Sequence, residues 1–205
     1  MMTENKILKI ARRIQAIAQS GLHFVENDFD RERYEELRNL SVDLASNVSD
    51  TEPSRIHDLF TNETGFQTPK VDVRSVVIKE GKILMVRERV DGRYAMPGGF
   101  ADINYSPSEV AVKEVREETG LNVRFNRVLA LVDTDSHGFP PLPYHFYKIV
   151  MLCDLVDGEL CDSNETTGAG FFEFDNLPEL SLERNTPHLV ELIRRQLETT
   201  VTYSD

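Results

Sequence analysis

The chain has 205 residues, 23 Lys and Arg against 35 Asp and Glu for a net charge of −12, and two fifths of its residues are hydrophobic. That length accommodates one well-buried core plus a small appendage, and the composition belongs to a globular chain and excludes a disordered one. Residues 1–65 carry 8 basic and 12 acidic side chains and residues 66–205 carry 15 and 23, so both parts repel a nucleic-acid backbone and nucleic acid is disfavoured as a partner.

The N-terminal apolar residues are interrupted by Lys9, Arg12 and Arg13, so neither a signal-peptide core nor a membrane span is expected, and a cytoplasmic location is. Ile7, Ile10, Ala11, Ile14, Ile17 and Ala18 recur at helical spacing, with Gly21 as the expected stop. Tyr34, Leu37, Leu40, Leu44 and Ala45 after Asp30 predict a second helix, and Ser54–Thr61 a short third one. Residues 62–69, Asn-Glu-Thr-Gly-Phe-Gln-Thr-Pro, lose every period and read as a linker. The expected division is a helical domain at 1–65 and a second domain at 66–205.

After Pro69 the period becomes two. Val71, Val73 and Ser75 alternate with Asp72 and Arg74, the run reaches a turn at Glu80-Gly81, and Lys82–Arg87 returns as a hairpin partner. Further strands are expected at Val128–Val132, Tyr144–Leu155 and Gly170–Phe174, and a closing helix over Pro187–Glu198 behind the N-cap Thr186. Cys153 and Cys161 are too few for a disulfide framework and lack a metal-ligand spacing; Cys153, inside an apolar run, reads as core.

The chemistry is concentrated between Pro97 and Leu121. Ser106 with Glu109 is a capping box, Pro107 occupies the first helical position, and Gly120 supplies the stop. Glu114, Glu117 and Glu118 stand at i, i+3 and i+4, so their carboxylates crowd one face while Ala111, Val112 and Val115 occupy another. Like charges at that spacing destabilise a helix by roughly 0.2–0.5 kcal/mol per pair. Hard divalent cations, which prefer oxygen ligands, would offset the repulsion.

The stretch resembles the Nudix box: a Gly, five residues, Glu, seven residues, Arg-Glu, an aliphatic, any residue, Glu-Glu, any residue, Gly and an aliphatic. Gly99, Glu114, Val115, Glu117, Glu118, Gly120 and Leu121 fall on seven of the nine specified positions, with Pro97-Gly98 ahead of them. Tyr105 stands where the pattern has its first Glu and Lys113 where it has Arg, two residues that often pair in the family. Glu109 is no substitute for the missing Glu, because the capping box occupies it.

The resemblance covers the C-terminal two thirds of the chain. It implies an α+β Nudix fold, an α/β/α sandwich with a mixed sheet, behind a small all-helical N-terminal domain. It also implies Mg²⁺, with Mn²⁺ as a substitute, held by Glu114, Glu117 and Glu118, to neutralise a diphosphate and activate water. Glu117, or Glu165 from the loop before Phe171-Phe172, would take the proton. Gly98, Gly99, Arg87, Arg89 and His137 are the candidate substrate contacts, with Arg93 beside the two arginines. Phe100, Tyr105 and Tyr144 are candidates for nucleobase stacking.

The implied substrate is a nucleoside diphosphate linked to a sugar or alcohol, such as ADP-ribose or CDP-choline, and the helical extension implies a homodimer. The competing expectations are a Nudix-fold regulator that binds such a ligand without cutting it, and an RNA-processing enzyme.

Overall fold

A computed structural model describes residues 4–48 and 53–205. The chain divides into two compact units, one comprising the residues through Pro69 together with Pro141–His145, the other Lys70–Pro140 with Phe146–Asp205. No helix among the described residues is long and apolar enough to cross a membrane.

The first unit consists of helices α1 (Glu4–Phe24), α2 (Asp28–Ser46) and α3 (Pro53–Thr61). Helix α1 does not stop at Gly21. Glycine is there because Tyr34 of α2 lies across it: a Cβ at residue 21 would sit 2.3 Å from the Tyr34 ring. The signal therefore marks close helix approach and not a terminus. Asn27 caps α2, its side chain accepting from Asp30 N at 2.8 Å.

The core of this unit is small: Leu8, Ala11, Val42, Ala45, Ile56 and Phe60. Two buried amides supplement it, Gln15 donating to Phe60 O at 2.8 Å and Gln19 to Gly65 O at 3.1 Å. The segment Pro141–His145 joins the same unit, with the Tyr144 hydroxyl donating to Leu59 O at 2.7 Å and Arg12 donating to Tyr144 O at 3.1 Å. Tyr144 therefore lies outside the strand expected to begin with it and is engaged among the helices.

The second unit is an α/β/α sandwich. Its strands are β1 (Lys70–Lys79), β2 (Lys82–Glu88), β3 (Tyr94–Ala95), β4 (Gly98–Phe100), β5 (Leu121–Asp133), β6 (Phe146–Gly158), β7 (Thr166–Phe172) and β8 (Tyr203–Ser204), with helices α4 (Pro107–Thr119) and α5 (Pro187–Leu197). The main order is β3-β2-β1-β6-β5-β8, with β4 paired to β1 and β7 to β2. Strands β1 and β6 run parallel and the hairpin partners antiparallel, giving a mixed sheet.

Both faces of the sheet are covered. Val73, Val77, Leu84, Met151 and Cys153 pack under Val110, Ala111 and Val115 of α4. Val76, Ile83, Met85, Ala130 and Val150 pack under Leu189, Val190 and Ile193 of α5. The period-two pattern of β1 thus separates two buried faces. Asp72 and Arg74, on the side opposite Val73, are only 3% and 6% exposed, and they are satisfied by pairing with each other at 2.9 Å and with Lys148 of β6. On the α4 side, burial pushes the Cys153 thiol up to about 12, and both cysteines are free.

Candidate active site

Strand β4 and helix α4 build the site. Gly98 has φ 144°, and a Cβ there would lie 2.0 Å from Val73 O, so no side chain fits between β4 and β1. A side chain at Gly99 would start 3.4 Å from a Glu114 carboxylate oxygen. The chain then turns through Asn104, which has φ 73°, into α4. At Ser106 both halves of the capping box form, and Gly120 ends the helix in the left-handed region, as the residue types dictate.

That placement grades the three helix carboxylates from solvent to interior: the side chain of Glu117 is 58% exposed and that of Glu114 13%, while residue Glu118 is 5% exposed. Glu118 accepts a hydrogen bond from Gly98 N at 2.9 Å, which ties the innermost carboxylate to the glycine turn. Desolvation nevertheless dominates and raises its pKa to about 8, against the opposing pull of that hydrogen bond and of Arg74. Burial also raises Glu114, with Glu117 and Glu165 adding repulsion, while Lys113 counteracts the rise.

Glu165 stands just ahead of β7, whose first residue, Thr166, pairs with Glu88 of β2. The repulsion it exerts on both Glu114 and Glu88 puts its charge within Coulombic range of each. Its loop is fixed at several points. Thr166 Oγ1 donates to Glu118 O at 2.8 Å, Arg89 N donates to Glu165 O at 3.1 Å, and the Arg89 guanidinium donates to Ser163 O at 2.8 Å.

The structure gives the candidate arginines local tasks. Arg89 holds the Glu165 loop, as above, and Arg87 donates to Gly92 O at 2.8 Å within its own hairpin. Arg93 pairs with Glu179 at 2.7 Å on the rim of a separate recess of about 450 Å³ between α5 and the loop before it.

His137 is not brought to the carboxylates. It is 4% exposed, its Nε2 lies 2.9 Å from Asp205, and its ring packs on His188 and Tyr203. The Thr186 hydroxyl donates to His137 O at 2.7 Å and ties its loop to the start of α5. Of the candidate aromatics, Phe100 is 61% exposed and stacks on Phe146 at 5.7 Å, and Tyr105 is 49% exposed.

The sequence reading passed over three neighbours. Glu88, 7% exposed, pairs with Arg184 at 2.8 Å, and burial raises its pKa. Arg74 exerts Coulombic pull on both Glu118 and Glu88 from beneath. Asp102 contacts Lys113 at 3.4 Å. The first two depend on chain segments far apart in sequence and left no local signal; for Asp102 the signal was an acid in the loop just ahead of the mismatched Tyr105.

The chain matches known proteins along both of its parts. Residues 68–196 fit the family model described as "NUDIX domain", well over half of the chain. The chain belongs to the Nudix family. Residues 5–60, ahead of the Nudix domain, fit a model described as "UDP-X-like, N-terminal oligomerisation domain".

A Bacillus subtilis protein named "Putative ADP-ribose pyrophosphatase YjhB" is 45% identical over 190 residues, covering 93% of this chain and 91% of its own length. An ADP-ribose pyrophosphatase of Methanocaldococcus jannaschii is 32% identical over 56% of this chain and 68% of its own length. Among solved structures, a UDP-X diphosphatase is 34% identical, superimposes with a TM-score of 0.65 and covers all of both chains. The Nudix pyrophosphohydrolase assignment thus rests on the whole length of the chain, beyond the box itself.

Proposed function

We propose that this Nudix unit uses Mg²⁺ to hydrolyse the diphosphate of a nucleoside diphosphate joined to a sugar or alcohol, of the ADP-ribose, CDP-choline or UDP-linked kind. The products would be a nucleoside monophosphate and a phosphorylated fragment. The observation that carries this reading is the unbalanced carboxylate cluster. Glu114, Glu117 and Glu118 line one helix face, Glu165 approaches from a fixed loop, and Lys113 contributes one positive charge among them.

A set of oxygen donors on a rigid helix suits a hard divalent cation. When bound there by Glu114, Glu117 and Glu118, Mg²⁺ supplies charge neutralisation for the diphosphate and a more acidic water for in-line attack. Glu165 accepts the proton, with Glu117 the other carboxylate suited to the task. Gly99, without a side chain, leaves the backbone beside Glu114 bare where the diphosphate approaches.

A binding-only regulator has no need of this crowding, and retention of all three helix glutamates speaks for turnover. The names of the relatives support a diphosphate linked to a nucleoside, and the net charge of −12 disfavours an RNA substrate. Product release from ADP-ribose, CDP-choline, UDP-sugars, dinucleoside polyphosphates and capped RNA, with and without Mg²⁺, tests the reading. Absence of turnover of every diphosphate with Mg²⁺ or Mn²⁺ would overturn it.

The helical unit we assign to homodimer formation. Its support is the described character of the matched domain and an apolar stripe on α1, where Ile10, Ile17 and Phe24, spaced by seven, are 38%, 46% and 71% exposed. Light scattering of the full chain should give twice the monomer mass, and Ile17→Glu should reduce it.

A further inference from the structure

Helix α4 carries an internal cation among its own carboxylates. The Lys113 ammonium lies 3.0 Å from Glu117 Oε2, 3.3 Å from Glu114 Oε1 and 3.4 Å from Asp102 Oδ2. Three donor hydrogens thus meet three carboxylates, two of them on the helix and one on the preceding loop. The loop geometry brings Asp102 there. Tyr105 N donates back to Asp102 O at 3.3 Å and Asn104 takes φ 73°, so the chain doubles on itself ahead of Ser106. Residue 105, where the family pattern has a carboxylate, is a half-exposed tyrosine in this chain.

A lysine and an arginine behave differently in this position. A guanidinium is a planar fork that prefers to lock on one carboxylate, whereas an ammonium is a compact charge on a flexible stem that can trade partners. Asp102 is 56% exposed at its side chain and Lys113 29%, so the pair sits at the surface with room to pivot.

We propose that Asp102 supplies, from three residues earlier, the carboxylate missing at Tyr105, and that it works as a holding point for Lys113. In the metal-free protein the ammonium bridges Glu114 and Glu117 and neutralises part of their repulsion. When a divalent cation takes those carboxylates, Lys113 withdraws onto Asp102. Without Asp102 the ammonium has only the ligands themselves to bind, and it competes with the incoming ion. Both residues are positioning residues, and the inference rests on the metal-ligand reading of Glu114 and Glu117.

The test is Mn²⁺ titration of the full chain, followed by electron paramagnetic resonance, with melting in EDTA to verify that each variant folds. Asp102→Asn is expected to weaken Mn²⁺ binding roughly tenfold. Adding Lys113→Met to that variant should return the affinity to the original level or better, because the competing charge is gone. Tyr105→Glu in the Asp102→Asn background should also recover it.

Unchanged affinity in Asp102→Asn, a double variant with Lys113→Met as weak as the single one, or no recovery with Tyr105→Glu overturns the proposal while the metal reading stands. Absence of saturable Mn²⁺ binding by the unaltered chain overturns the metal reading and the proposal together.

Discussion

Two groups of charges lie close together in the second unit, and they are built on opposite plans. In one, on β1 and β6, Asp72 is held between Arg74 and Lys148, all nearly out of contact with water. On α4, Glu114, Glu117 and Glu118 share Lys113, with Glu165 and Glu88 within Coulombic range of Glu114 or of one another. The first group sets a cation on each side of one acid; the second sets several acids against Lys113 and the pull of Arg74 on Glu118. Burial by itself therefore does not mark an ion site; a surplus of carboxylate oxygens, which a hard cation prefers, does.

The largest expected effect breaks the unbalanced side. Glu117→Gln should lower kcat by roughly 10²–10⁴-fold with an unchanged melting temperature. A loss of less than a few-fold would take Glu117 out of the reaction.

Breaking the Asp72 group should instead destabilise the fold. Asp72→Ala leaves Arg74 and Lys148 buried without their anion and should destabilise by about 3–5 kcal/mol in urea melts. A midpoint close to that of the unaltered chain would show that water or another acid replaces Asp72.

The pH dependence sharpens the comparison at Glu118. Its folded pKa of about 8 lies above the usual 4.5, so the folded chain keeps a proton that the unfolded chain releases. The folded state binds more protons across that window, and the stability of the metal-free protein should fall between about pH 5 and pH 8, by up to about 1.4 kcal/mol per pH unit. Divalent cations favour the ionised carboxylate, so Mn²⁺ binding near pH 7 should release a proton. Titration calorimetry in buffers of different ionisation enthalpy measures that release; its absence would exclude Glu118 as a ligand.

The smallest effect concerns the frame. Ser106→Ala removes the cap of α4 and should cost about 1 kcal/mol of stability. Its effect on Mn²⁺ affinity should be minor, because Glu114 to Glu118 lie two turns further along; a collapse of binding would show that the first turn also sets the ligands.

The parts legible in the sequence were those fixed by local chemistry. Ser106, Pro107, Glu109 and Gly120 set the ends of α4 from their own side chains and backbone freedom, and the hairpin at Glu80-Gly81 formed where the turn residues put it. What stayed hidden depends on covering elements. Asp72 and Arg74 are satisfied in the interior by Lys148 of β6 and the Met96 carbonyl, neither of which is local to them in sequence. The tether of Arg89, the Ser163 carbonyl, belongs to a loop distant in sequence and left no local signal. His137 carries no local sign of its burial, because the acid that holds it, Asp205, lies 68 residues away in sequence. Gly21 carried a correct signal with the wrong meaning, because a glycine that admits a neighbour and a glycine that ends a helix look alike until the neighbour is seen.

The excursion of Pro141–His145 into the helical unit has a consequence for how the gene could be cut. The helical unit is a discontinuous domain, threaded by the polypeptide twice, so no single cleavage point separates it from the hydrolase unit. A chain begun at Lys70 would still carry Tyr144, now stripped of the Leu59 carbonyl and the Arg12 guanidinium that engage it. Domain transplantation in this architecture therefore requires two junctions, one at Pro69 and one rebuilding the link between Pro140 and Phe146.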